Sequence, residues 1–456
     1  MNKKLLCFSF FSALIFSHAA RAQETDCALE YWGSHTQYLP QNTAFTTPPP
    51  DYKPVFINFI GRNAAEHLVK DISTTFVFSL LQKADSAHAL KVDGRKLRKM
   101  LLTLQAIEKD KLDKISLSGI VEEKGIGTRM LALYGNVFAQ KKCVEVAAIN
   151  EDRMKQSAEA LLSGLRHTLN EPSCDIPSYN DDDNLNPFAT GPALIELSKS
   201  GDWKDNVDNI RDQKKPENFN IRFLTRFFEQ GFFDKIEEAD QNRFISDLYK
   251  ASTVINSIHR EIVNAGLTVD QLDIRSFFTC SELSLFNTLN SAEEYYKAGP
   301  GGDHTGIQVR ATVPLLVNFI NTTDAYLISP NVAADIRITN AETIASFAAL
   351  LGIKGANKES ADIYKFEKVW KADEVIPLSA NIQFVLYKGQ STDTQRDYLV
   401  KFLLNEKEVA IEGLKTNNFP YYKWEDVKTF YTKKLNDEWD VEKLSDNMHA
   451  YLMNLK

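Results

Sequence analysis

Residues 52–68 read YKPVFINFIGRNAAEHL, and this run constrains the fold more than any other stretch of the chain. The apolar segment Val55-Phe56-Ile57-Asn58-Phe59-Ile60 ends in Gly61-Arg62 and passes into an Ala- and Leu-bearing segment. That pattern predicts a buried strand, a tight turn and a helix start, with Arg62 at the carboxyl end of the strand, where open α/β sheets keep their sites. Further strands are expected at Val144–Ala148, Ala334–Ile338, Ile382–Tyr387 and Tyr398–Leu404, with Asn405-Glu406-Lys407 as a turn. Amphipathic helices are expected between Asp71 and Val137 and over Val313–Ile320. Strand and helix alternate, so the expected class is α/β, with a mostly parallel sheet sandwiched by helices. Between about 168 and 305 helical periodicity takes over, as in Phe223-Leu224-Thr225-Arg226-Phe227-Phe228. Asn180-Asp181-Asp182-Asp183-Asn184 and Gly299-Pro300-Gly301-Gly302 read as loops there.

The chain opens with Lys3 and Lys4, an apolar stretch from Leu5 to Phe16, and Ala20-Arg21-Ala22. This is the pattern of a cleaved secretory signal over residues 1–22, too short to span a bilayer, and predicts export to the periplasm or the medium. Losing Lys3, Lys4 and Arg21, with no acid, takes the formal charge from −8 to −11. So negative a chain has no general attraction for nucleic acid or anionic lipid, and a polyanionic ligand would need a local basic pocket. Cys27, Cys143, Cys174 and Cys280 remain, an even number in an oxidising compartment, so one or two disulfides are expected with the connectivity open. Their scattered spacing contains no CxxC and suggests no metal.

Several segments carry a resemblance. Arg62-Asn63-Ala64-Ala65-Glu66 is similar to the Arg-His-Gly-x-Arg signature of the histidine phosphatase superfamily. Asp152-Arg153-Met154-Lys155-Gln156-Ser157-Ala158 is similar to its Arg-x-x-x-Ser-Ala segment. Asn340-Ala341-Glu342-Thr343 stands where the multiple inositol polyphosphate phosphatase (phytase-like) branch has His-Ala-Glu-Thr. Tyr295–Gly299, Val375–Asn381 and Leu403–Lys407 also resemble that branch. The resemblance implies a helical cap, residues 168–305, inserted between two halves of the core, 23–167 and 306–456. It implies no cofactor.

The resemblance also assigns roles, and the residues depart from them. Asn63 holds the nucleophile position, and its conjugated amide offers no basic lone pair. Losing a covalent nucleophile costs about 10⁶ in turnover in a well-studied hydrolase. Arg62 and Arg153 hold phosphate-binding positions, and Asn340 replaces the second histidine yet can still donate a hydrogen bond. Glu66 replaces an arginine and would repel a phosphate. Ala64 adds a methyl where the family has glycine. Glu342 keeps the proton-donor position.

The expected function is an exported, catalytically impaired phosphatase-like protein that binds inositol polyphosphates or other phosphomonoesters. The alternative is an active phosphomonoesterase working on phytate through a rearranged site. A third reading, a protein-binding module with a vestigial cleft, follows if Glu66 pairs permanently with both arginines. Lesser features are His67 as a displaced nucleophile, the Asp303-His304 pair and the basic run Arg95-Lys96-Leu97-Arg98-Lys99, which reads mainly as a solvated helix face.

Overall fold

The computed structural model describes residues 30–40, 44–138, 142–166, 175–178, 180–390, 397–439 and 447–455. The expected signal sequence and two of the four cysteines, Cys27 and Cys174, lie outside them.

One sheet organises the molecule. Its strands are β1 (Lys53–Arg62), β2 (Cys143–Ala148), β3 (Asp175–Ser178), β4 (Val332–Thr339), β5 (Asn381–Lys388), β6 (Tyr398–Leu404), β7 (Lys407–Glu408) and β8 (Tyr421–Lys423). The order is β3-β2-β4-β1-β5-β6-β7, with β8 also on β6. The α/β architecture is as expected, and the sheet is mixed. β3, β2, β4 and β1 run parallel, whereas β5, β6, β7 and β8 join antiparallel. The two-residue link between β6 and β7 is a tight connection that parallel pairing does not allow. Asn405 and Glu406 both adopt positive φ and turn β6 directly into β7.

The longer helices are α1 (Phe76–Ser86), α2 (Val92–Glu108), α3 (Leu117–Phe138), α4 (Asp152–Arg166), α5 (Trp203–Lys214), α6 (Glu238–Ser257), α7 (Cys280–Lys297), α8 (Val313–Ile328), α9 (Ala341–Leu351) and α10 (Trp424–Trp439). α3 and α4 cross at two glycines. A Cβ on Gly127 would meet the Leu161 carbonyl at 2.1 Å, and one on Gly164 the Lys124 carbonyl at 2.2 Å. α9 stops at Gly352, whose φ of 75° suits the left-handed cap position.

Among the described residues two large hydrophobic cores form, and their border does not follow the divisions at 168 and 305. The larger surrounds the sheet and also takes in Leu194, Ile210, Leu289 and Tyr295 from the helical stretch. The smaller joins Phe219–Leu283 to the buried stripes of α1 and α2, namely Val77, Leu81, Leu97, Leu101 and Leu104. α1 and α2 precede residue 168 in sequence but bury their apolar faces against the helices of residues 219–283, at about 1.5–3 kcal/mol per large side chain. No helix among the described residues is long and apolar enough to cross a membrane.

Candidate functional site

A cleft of about 740 Å³ lies between the carboxyl ends of the parallel strands and the helical layer. β1 delivers Arg62, the turn after it Asn63 and Glu66, β4 leads to Asn340, the first turn of α9 presents Glu342, and α4 begins with Arg153. All six residues read as site residues from the sequence therefore line one cavity.

Their bonding ties several of them to one another. Arg62 is buried and donates from Nη1 to the backbone carbonyls of Ser34 (3.0 Å) and Ile376 (2.8 Å). Its Nε has no hydrogen-bond partner. Desolvation lowers its pKa, opposed by the charges of Glu66, Glu294 and Glu342. Asn63 donates Nδ2 to Glu66 Oε2 at 2.8 Å, so its side chain is held by the acid three residues on. Glu66 in turn lies 3.2 Å from Arg153 Nε. Arg153 also pairs with Asp113 and Glu151, so one guanidinium serves three carboxylates. Burial raises the Glu66 pKa, with Arg153 and Arg62 acting against the rise. Glu66 thus pairs with Arg153 and leaves Arg62 to backbone carbonyls.

On the other wall Asn340 is the N-cap residue of α9 but makes no side-chain cap; its Nδ2 donates to Asn186 Oδ1 at 3.2 Å. Glu342 sits in the first turn, where the helix dipole favours an acid. Ala64, in the glycine position, is fully buried and its N–H bonds Ser157 Oγ at 3.2 Å.

Sequence reasoning did not single out Glu294, His35, Lys250 or Lys297, which also line the cleft. Glu294 receives a hydrogen bond from Ser34, and desolvation pushes its carboxyl up to about 7. Burial, with Arg62 and Lys250 nearby, holds His35 down at about 4. Lys297 falls within the Tyr295–Gly299 segment that entered the resemblance, with no role given to it there, and Glu294 stands immediately before that segment. His35 had no sequence signal. The charged lining comprises the cations Arg62, Arg153, Lys250 and Lys297 against the acids Glu66, Glu151, Glu293, Glu294 and Glu342.

His67 is no nucleophile for this cleft. It is buried, with Nδ1 2.9 Å from Glu108 and Nε2 3.5 Å from Glu261, so both ring nitrogens are engaged. Burial disfavours its charged ring, yet the two carboxylates prevail and raise the pKa to about 9. Asp303 and His304 meet Glu359, with ligand atoms all within 4.8 Å, on an exposed loop. Sequence distance hid that third residue. The 95–99 run lies on α2 with local partners: Arg98 pairs with Asp85 at 3.3 Å and Lys96 lies over the Phe277 ring.

Arg62 at the end of β1 and Glu342 in the first turn of α9 thus line one cleft of a helix-covered α/β fold. The model of the histidine phosphatase superfamily (branch 2) matches residues 109–405, and the chain belongs to that family. It is 22% identical over 358 residues to multiple inositol polyphosphate phosphatase 1 of Gallus gallus, covering 71% of this chain and 69% of that one. Multiple inositol polyphosphate phosphatase of Bifidobacterium longum, solved with inositol hexasulfate, superposes with a TM-score of 0.72 at 18% identity, covering 88% of this chain and 97% of that one. The phytase from D. castellii gives 0.61 at 14% identity, covering 90% and 86%.

Proposed function

We propose that this chain is an exported, catalytically inactive relative of the multiple inositol polyphosphate phosphatases that retains a single-phosphate site at Arg62. The observation that carries this reading is the hydrogen bond from Asn63 to Glu66, because it fills the nucleophile position with an amide already committed to a neighbouring acid. In-line displacement at phosphorus needs an attacking lone pair and positive donors on the equatorial oxygens. Asn63 supplies no nucleophile, and Arg153 is shared among three acids. Arg62 keeps an unpartnered Nε, and Asn340 adds a donor. The Bifidobacterium longum relative was solved in complex with inositol hexasulfate, which supports a phosphate-like anion as the class of ligand. The charge lining favours a ligand with one phosphate over a highly phosphorylated inositol, since five acids face four bases. A wholly vestigial cleft is the second reading, favoured by the Glu66–Arg153 pair.

Phosphate release from phytate and p-nitrophenyl phosphate over pH 3–8, beside calorimetric titration of inorganic phosphate, tests this. Turnover above about 0.1 s⁻¹, itself below typical enzyme rates, refutes inactivity. No heat from phosphate refutes the retained site and leaves the vestigial reading. Asn63→His, Ala64→Gly, Glu66→Arg and Asn340→His combined should restore hydrolysis.

A further inference from the structure

A second cavity, of about 290 Å³, opens in the helical layer beside the cleft and shares Lys250, Asn290 and Glu293 with it. Its floor is apolar, built from Val207, Phe219, Ile245, Leu285, Phe286 and Leu289. Phe219 and Phe286 present tilted rings with centroids 6.1 Å apart. The rim is cationic, with Arg211, Lys215, Arg243 and Lys250 against Glu293 among the lining residues; Arg211 also pairs with Asp208, and Arg243 lies over the Phe76 ring. Asn220, 6% exposed, donates Nδ2 to Asn242 at 2.9 Å and leaves Oδ1 with no hydrogen-bond partner. A buried amide oxygen without a donor is costly, and a ligand N–H or O–H would satisfy it.

We infer that this cavity is a binding site for a small aromatic carboxylate carrying one hydrogen-bond donor. Three features converge on that chemistry. The aromatic floor accepts a ring in offset or edge contact. The rim supplies positive charge for one carboxylate, and Asn220 accepts from the donor. The volume is at the lower end of ligand pockets, which suits a molecule of one or two rings. Lys215 is already bonded to Asn242 at 3.0 Å, and desolvation lowers its pKa; a ligand carboxylate would reverse that shift. The site is distinct from the phosphate site in using neither Arg62 nor Asn340, although Lys250 and Glu293 border both.

The test is calorimetric titration of the full chain with indole-3-acetate, with tryptamine and naphthalene-1-acetate as comparators. Indole-3-acetate should bind with a submillimolar Kd, naphthalene-1-acetate at least fivefold more weakly, and tryptamine not measurably. Lys215→Gln with Arg243→Gln should weaken indole-3-acetate at least tenfold, and Ser246→Trp, at a residue that also lines the cavity, should block it sterically. Both variants should keep the wild-type thermal transition and response to inorganic phosphate. Absence of indole-3-acetate binding, equal binding of tryptamine, or an unchanged affinity in the double variant each overturns the inference.

Discussion

Replacing His67 with glutamine isolates one electrostatic clamp behind the cleft. His67 follows Glu66 directly, and its backbone N–H bonds Lys114 O at 2.9 Å, so it anchors the loop that holds the nucleophile position. Its partners are fixed from elsewhere: Glu108 accepts from the Leu68 N–H at 2.7 Å and Glu261 from the Leu117 N–H at 2.6 Å. Folding raises the imidazole pKa from 6.5 to about 9. At 1.36 kcal/mol per unit, that rise has a ceiling of about 3 kcal/mol, and we take ~2 kcal/mol after allowance for solvent screening. The sign follows from the direction. A raised folded-state pKa stabilises fully below 6.5, and the contribution disappears as pH climbs through about 9. Urea unfolding of wild type and His67→Gln at pH 6 and pH 10 measures it. Wild type should lose ~2 kcal/mol more than the variant across that interval, because subtracting the variant removes every other group that titrates there. Parallel losses in the two proteins would refute a charged, clamped His67.

Three further outcomes are expected. Glu66→Gln removes one negative charge beside the phosphate site and should tighten inorganic phosphate about fivefold, ~1 kcal/mol, by calorimetry. Sulfate, whose charge is constant, should bind more weakly as pH rises from 6 to 8, because Glu294 is neutral below about 7 and ionises above it; Glu294→Gln should flatten that profile. Gly127→Ala should destabilise by about 2 kcal/mol or more in thermal unfolding through its clash with the Leu161 carbonyl, while Gly135→Ala, with nothing within 4 Å, should be near neutral.

Much of the sheet was legible because β1, β4, β5 and β6 are buried on both faces along most of their length and read as largely apolar runs. β6 spans Tyr398–Leu404 as expected, and β5 differs from its expected range by one residue at each end. β3 was not, since four residues inside a helical stretch carry no period, and β8 follows a cis Phe419-Pro420 bond that reads as a break. The recruitment of α1 and α2 into the second core was equally hidden, because an amphipathic stripe shows that a face is buried but not what buries it. In the site, positions 62–66 were readable together because one turn carries them. The three acids on Arg153 come from positions 66, 113 and 151, and only the folded chain brings Asp113 there, 40 residues from its partner. The Glu294 environment depends on desolvation by the surrounding walls, which no local pattern encodes.

Glu66 has a consequence for how such a cleft ages. A working phosphate site gathers like charges that repel until substrate arrives, and the apo fold bears that strain. Here the chain supplies a resident surrogate for the anion, tethered to Arg153, and the strain is relieved without any visitor. An arginine answered from within has less attraction left for an anion arriving from solvent.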